Sequence, residues 1–336
     1  MTLLPPAPPA RRGPPLRLAF IVDPLPSLKA WKDTSVALMR AAQARGHAVS
    51  AIDAATLGWA VPRDGDSGTV RGEAIDLVLQ DDDSTWFRES GRGERALKDF
   101  DAVLMRQDPP MDGEYLAATW LLERAEAEGA RIFNCPRALR DHNEKLAIAE
   151  FPHLIPPSLV TSQSAALQAF IDREGDVILK PLDGMGGTGI FRVGRKDPNR
   201  NVILETVTAL GRRRVMAQRY LPAIADGDKR ILLVAGRAAP YALARYPRAG
   251  ETRGNLALGG TGVARDLSAG DLAIAADLGP RLAARGLFLV GLDVIGEHLS
   301  EINVTSPTCM VEIHAQTGFD VAAATLAALE DQCCGA

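Results

Sequence analysis

Residues 178–193 read ILKPLDGMGGTGIFRV, and how this stretch is read decides the fold. A short apolar run ends on Lys180, and Gly184, Gly186, Gly187 and Gly189 come after it. Glycines let backbone amides approach a phosphate without Cβ obstruction, and a lysine adds a point charge. Taken literally, 184–189 also satisfies the dinucleotide fingerprint G-x-G-x-x-G. That fingerprint needs a helix next, with its N-terminus facing the pyrophosphate. The next residues are instead Ile190, Phe191, Arg192 and Val193, a β-rich tetrapeptide, and then a turn-like GRKDP at 194–198. The pattern is strand, glycine loop, strand: a flap that folds over phosphates rather than a cradle at a helix start. It favours nucleotide triphosphate chemistry over dinucleotide binding, with a ligand-free glycine hairpin as the bland alternative.

Around this flap the pattern predicts a small α+β unit. Its parts are a helix over 164–172, a strand over 177–180, a strand over 190–193, a helix over 202–210 and a strand over 214–218. Upstream, LRLAFIV (16–22) is a buried-type strand. Asp33 or Thr34 caps a helix to about Arg45, and 48–52 is the next strand. This β-loop-α-β opening predicts an open parallel sheet, whose ligands lie beyond the carboxyl ends of the strands, where Asp23 sits. The strand 101–107 places Arg106 at such an end, and a helix over 137–150 carries Lys145. The stretch 62–98 carries little signal beyond one strand near 74–80. Downstream, 228–234 and 238–245 alternate as strands, a helix spans 268–285, strands cover 287–295 and 298–303, and 318–331 is a closing helix. No internal repeat is visible.

The chain has 336 residues, 46% hydrophobic and 24% charged, enough for two or three compact units. A net charge of −4 argues against general nucleic-acid binding. No apolar run reaches the roughly 20 residues of a membrane span. The Pro-rich residues 1–15 lack the apolar core of a secretory signal and read as a disordered tail. Cys135, Cys309, Cys333 and Cys334 show no metal-ligand spacing, which fits a reducing cytoplasm.

A second informative site is GLDVIGEHLSEIN (291–303). With a turn at Gly296, Glu297 and His298, Asp293 lies opposite Glu301. Alternation then puts Asp293, Glu301 and Asn303 on one face and Leu292, Val294 and Ile302 on the other. Facing carboxylates repel unless a cation lies between them. The Asn oxygen completes an all-oxygen set suited to Mg²⁺ with phosphate oxygens. The competing account is the solvent-facing side of a plain hairpin. Lys180 ends a strand and is a stronger phosphate candidate than Lys145. The exit at Gln218, Arg219, Tyr220 and Leu221 presents backbone groups to an adenine edge or merely leaves a strand. Asp228 and Arg230 serve ribose and phosphate or form an ion pair. The Gly-, Thr- and Arg-rich 247–262 reads as a closing lid, with a plain linker as the alternative.

Together, a lysine before a glycine flap, a downstream Asp…Glu-x-Asn hairpin and an N-terminal α/β unit resemble the ATP-grasp superfamily. The resemblance is closest to bacterial glutathione synthetases. It rests on VDPLPSLKAWKDTS (22–35), LMRQDPP (104–110), LRDHNEKL (139–146), ILKPLDGMGG (178–187), AQRYLPAIADGDKR (217–230), GETRGNLALGG (250–260), GLDVIG (291–296) and EINVTSPT (301–308). It implies an α/β and α+β chain: an ATP-grasp fold behind an N-terminal open parallel α/β domain. The implied domains are 16–140 for substrate and 141–330 for ATP, with a lid subdomain at about 157–222 and a tail at 331–336. The implied reaction joins γ-glutamylcysteine and glycine, with ATP as co-substrate, through an acyl phosphate, in a cytoplasmic homotetramer. Lys145, Lys180, Gly186 and Gly187 would contact ATP phosphates, Gln218, Arg219, Tyr220 and Leu221 would border adenine, and Asp228 would hold ribose. Asp293, Glu301 and Asn303 would hold Mg²⁺ or Mn²⁺. Arg230 and the lid residue Arg253 would be catalytic. Asp23, Arg106, Arg245, Asn255, Ser306 and Thr308 would border the dipeptide and glycine. Rival readings are a ligase with other acid and amine partners, a kinase stopping at phosphoryl transfer, and a non-catalytic nucleotide-binding regulator.

Overall fold

A computed structural model describes residues 3–8, 13–61, 68–184, 186–248 and 260–334. Its first sheet is seven-stranded: β1 (Arg17–Val22), β2 (Ala48–Asp53), β3 (Gly58–Ala60), β4 (Thr69–Leu79), β5 (Phe87–Ala96), β6 (Ala102–Met105) and β7 (Ile132–Phe133). The order is β3-β4-β2-β1-β6-β7, with β5 pairing β4. β1 pairs in parallel with β2 and β6, and β6 with β7. The expected parallel sheet is therefore only its core, because β3, β4 and β5 add an antiparallel edge. The uninterrupted apolar run in β1 is what a strand covered on both faces requires. The largely polar β5 contains no such run, so its strand is not legible from local pattern.

Helix α1 (Thr34–Ala44) starts where Asp33 accepts from the amides of Ser35 and Val36, and α2 (Gly113–Ala127) where Asp112 accepts from Tyr115. The helix expected over 137–150 is broken. α3 (Pro136–Asp141) stops before Asn143, whose side-chain oxygen accepts from the amides of Lys145 and Leu146, and a 3-10 turn comes next. An Asn that bonds neighbouring amides competes with the helical ladder. Lys145 thus sits at a break, not on a helix.

The second sheet runs β10-β9-β11-β8, all antiparallel, from β8 (Ser158–Thr161), β9 (Asp176–Pro181), β10 (Phe191–Gly194) and β11 (Val215–Arg219). With α4 (Ser164–Glu174) and α5 (Arg200–Val207) it closes a core of its own, including Leu167, Phe170, Leu179, Val193 and Leu204. The third sheet runs β14-β13-β12-β15-β16, from β12 (Asp228–Val234), β13 (Arg237–Tyr246), β14 (Thr261–Asp266), β15 (Leu289–Ile295) and β16 (His298–Asn303). α6 (Ala269–Ala284) begins in a capping box of Ser268 and Asp271. The first and third sheets share two packed clusters, one joining Ile21 and Val103 to Ile231 and Leu292.

The structure differs from the sequence pattern at three more places. Met310–Thr317 forms α7, a helix that the pattern does not predict, and α8 (Val321–Cys334) extends into the expected C-terminal tail. At the other end, Leu4 is only 3% exposed and its amide donates to the Ala238 carbonyl at 2.8 Å. Part of the expected disordered tail is thus strapped to β13. No helix among the described residues is long and apolar enough to cross a membrane.

Candidate active site

The third sheet builds the floor of a cavity of about 670 Å³, roofed by the glycine loop. Across it, Arg230 is paired in register with Asp293, and Asp293 with Glu301. The hairpin reaches that pairing differently from the expected three-residue turn. Ile295 pairs with His298 around a two-residue turn, and a register shift after Asp293 leaves Ser300 as the extra residue. The shorter turn and the bulge each displace the register by one, and the displacements cancel. Leu292, Val294 and Ile302 are buried in the core, while Asp293, Glu301 and Asn303 line the cavity.

Charges are packed densely there. Arg230 donates to both oxygens of Asp293, at 2.5 and 2.9 Å, and Arg245 lies 3.0 Å from the same carboxylate. Burial would raise the Asp293 carboxyl; Arg230 and Arg245 outweigh burial and hold it below the usual carboxylate range. Asp228 takes Arg245 on one oxygen at 2.6 Å, while its other oxygen is buried with no partner among the described residues. Burial pushes Asp228 up to about 6 despite that ion pair, because Arg245 is shared with Asp293, whose charge also opposes ionisation. Lys145 and Lys180 stand 3.8 and 3.9 Å from Glu301, and the Lys145 ammonium also donates to the Gly184 carbonyl. Desolvation lowers the pKa of Lys180, with Glu301 working against it.

The cavity also gathers Gly186, Gly187, Gln218, Arg219, Tyr220, Leu221, Asp23, Ser306 and Thr308. One expected role changes with these positions, that of Arg106. The amides of Arg219 and Tyr220 already donate to the carbonyls of Pro157 and Asp176, while both residues line the cavity. Arg106 does not line the cavity. It is buried behind the wall, bonding Ser35 Oγ at 3.2 Å and the Pro307 carbonyl at 3.0 Å, with one terminal nitrogen unpartnered among the described residues. Arg253 and Asn255 lie outside the described residues. Lys29, Lys32, Asp108, Glu144 and Glu312 also line the cavity. Sequence reasoning missed them, although Glu144 lies within the motif LRDHNEKL.

Whether the site suits a cation is a matter of donor chemistry. Among the described residues no cluster of three His, Cys, Asp or Glu could hold a metal. Asp293 and Glu301 supply carboxylates, and Asn303 donates its NH₂ to the Gly291 carbonyl at 3.3 Å, which leaves its own oxygen as an acceptor. Such a set suits a hard cation whose remaining ligands are phosphate oxygens and water.

This is the architecture of ATP-grasp proteins. The crystal structure of D-cycloserine synthetase DcsG is similar with a TM-score of 0.64 at 16% identity, over 94% of this chain and 99% of that one. The ATP-grasp ligase PsnB, solved with a precursor variant, Mg and ADP, reaches 0.61 at 18% identity, over 94% of this chain and 98% of that one. The model for the prokaryotic glutathione synthetase N-terminal domain matches residues 16–140, and that for its ATP-grasp domain matches 144–318. A glutathione synthetase from Nitrosomonas europaea is 57% identical over 318 residues, covering 94% of this chain and 98% of that protein. The chain belongs to the prokaryotic glutathione synthetase family and is an ATP-dependent ligase.

Proposed function

We propose that this enzyme joins the cysteinyl carboxylate of γ-glutamylcysteine to the amine of glycine, converting ATP to ADP and phosphate. The observation that carries this reading is the row Arg230, Asp293, Glu301 beneath a glycine loop with two buried lysines. A carboxylate is a poor electrophile. Its oxygen attacks the γ-phosphorus, ADP leaves, and an acyl phosphate forms. The amine then attacks the acyl carbon, phosphate departs and the amine loses a proton. Asp293, Glu301 and Asn303 would hold Mg²⁺ or Mn²⁺, which when bound neutralises charge on the phosphates. PsnB with Mg and ADP supports that choice for this fold.

In this reading Lys145 and Lys180 bind phosphate oxygens, and Gly186 and Gly187 approach them through their amides. Both glycines have positive φ, 64° and 80°, which other residues rarely adopt. Gln218, Arg219, Tyr220 and Leu221 border adenine, and the Asp228 oxygen that has no partner among the described residues accepts from ribose. Arg230 would stabilise the negative charge that grows on the reacting carboxyl. Arg245 fixes Asp228 and Asp293. Asp23, Ser306 and Thr308 orient substrates. Thr261 and Gly262, which the sequence pattern assigns to the lid, belong to β14. A lid carrying Arg253 and Asn255 would therefore be confined to the segment between β13 and β14, where closing would exclude water from the acyl phosphate. Arg106 acts from behind the wall by holding the Pro307 carbonyl. The family resemblance extends the reading to a cytoplasmic homotetramer.

ADP release with γ-glutamylcysteine alone, glycine alone and both, with the product identified by mass, tests the proposal. ADP formation coupled to glutathione only when both are present is expected. ADP formed without any amine would indicate a kinase, none at all a regulator, and turnover only with another acid and amine a different ligase.

A further inference from the structure

The break between α3 and the 3-10 turn touches both halves of the cavity wall. On one side, Asn143 Nδ2 donates to the Leu182 carbonyl at 3.0 Å, and Lys145 Nζ donates to the Gly184 carbonyl, which together hold the glycine loop. On the other side stands Glu144. Its backbone carbonyl accepts from the Ile302 amide at 2.9 Å. Its Oε1 accepts from the Val304 amide at 2.8 Å, the Thr305 amide at 3.0 Å and Thr305 Oγ1 at 2.9 Å. The Val304 carbonyl in turn accepts from Asn134 Nδ2 at 2.7 Å.

The three carboxylate bonds fall on the stretch between β16 and α7, which among the described residues belongs to no strand or helix that would satisfy its amides. Hydrogen bonds to a carboxylate are shorter and stronger than those between neutral groups. The stretch they fasten begins directly after Asn303 and continues into Thr305 and Ser306, and all three of these residues line the cavity. Glu144 is also the chain neighbour of Lys145, so one dipeptide ties the glycine loop to the end of β16.

We propose that Glu144 is a positioning residue for the acceptor amine: it locks Val304, Thr305 and Ser306 in the shape that receives the amine. This rests on the ligase reading above. Loss of the lock weakens binding of the amine and leaves the nucleotide pocket on β11 and β12 intact. Glu144→Gln keeps a carbonyl oxygen for the same donors, whereas Glu144→Ala removes it.

The experiment pairs steady-state kinetics with amide hydrogen exchange on wild type, E144A and E144Q. In E144A the KM for glycine should rise about tenfold with the KM for ATP within about twofold, and E144Q should recover most of the loss. Without any turnover, the amides of Val304 and Thr305 should exchange about tenfold faster in E144A than in wild type, near wild type in E144Q, and unchanged in β12. Unchanged exchange at 304–305, or equal losses for every substrate with faster exchange through β12, would overturn the proposal. Wild-type enzyme that makes no glutathione would sink the proposed choice of substrates, and the exchange comparison would still decide the role of Glu144.

Discussion

Two hairpins face each other across the cavity, and they are built on opposite principles. β15 and β16 sit in the main core: Leu292, Val294, Leu299 and Ile302 are fully buried, and Arg230 and Arg245 grip Asp293. β9 and β10 belong to the small sheet with its separate core, and their connection carries left-handed Gly186, Gly187 and Gly189 and ends at Phe191, 36% exposed. In the proposed reading the first holds a cation, which needs donors whose spacing does not yield, and dense packing and buried ion pairs supply that. The second would cover phosphates, which needs amides that can come and go, and glycines on a sheet with its own core supply those.

The sharpest way to break this contrast is on the rigid side. Glu301→Ala should lower kcat on the order of a thousandfold, because preorganised charge stabilisation is the largest single contribution to catalysis. ADP release at saturating substrates reads this, and a loss under about tenfold at limiting Mg²⁺ would remove Glu301 from the site. Next comes pH. His142 is buried beside the backbone of Ile302, and burial pushes its pKa down to about 4 from 6.5. Its Nε2 has no partner among the described residues. Between those values the unfolded chain binds a proton that the folded one refuses, so stability present at pH 7 falls as the pH drops from 6.5 toward 4. The loss should approach about 3 kcal/mol. Urea denaturation of wild type and His142→Leu should show that slope only in wild type; parallel slopes would mean that water reaches this side. The smallest effect belongs to the cover. A Cβ at Gly184 would meet Pro181 Cγ at 2.7 Å. Gly184→Val should cost about 1 kcal/mol in nucleotide binding, roughly a fivefold rise in KM for ATP, with the melting temperature little changed. Global unfolding of that variant would erase the distinction between the hairpins.

Legibility tracks the range of the interactions. The strand, glycine loop, strand pattern of 178–193 and the apolar runs of β1 and β15 are local, and the structure forms each of them. Simple alternation reaches the Asp293–Glu301 pairing through a turn one residue longer than the real one, and the bulge at Ser300 restores the register. Nothing in the alternation of EHLSEIN marks such a bulge, because the hydroxyl of Ser300 finds its reason only in the Asp293 carbonyl, 3.2 Å away across the strands. A strand end predicts Arg106 in the cavity. Its contacts with Ser35 and Pro307, far away in sequence, put it behind the wall.

The sequence by itself determined the fold class, the glycine loop between two strands and the residue types that line the cavity, because periodicity, glycine spacing and charge are properties of short windows. Tertiary structure alone decided that Asp228 and Asp293 share Arg245 and that Lys145 and Lys180 flank Glu301. It also decided that Lys145 leaves its helix, that Leu4 is tied down, and that Glu144 fastens Val304 and Thr305. Those outcomes depend on desolvation and on bonds between residues far apart in the chain, which no short window contains.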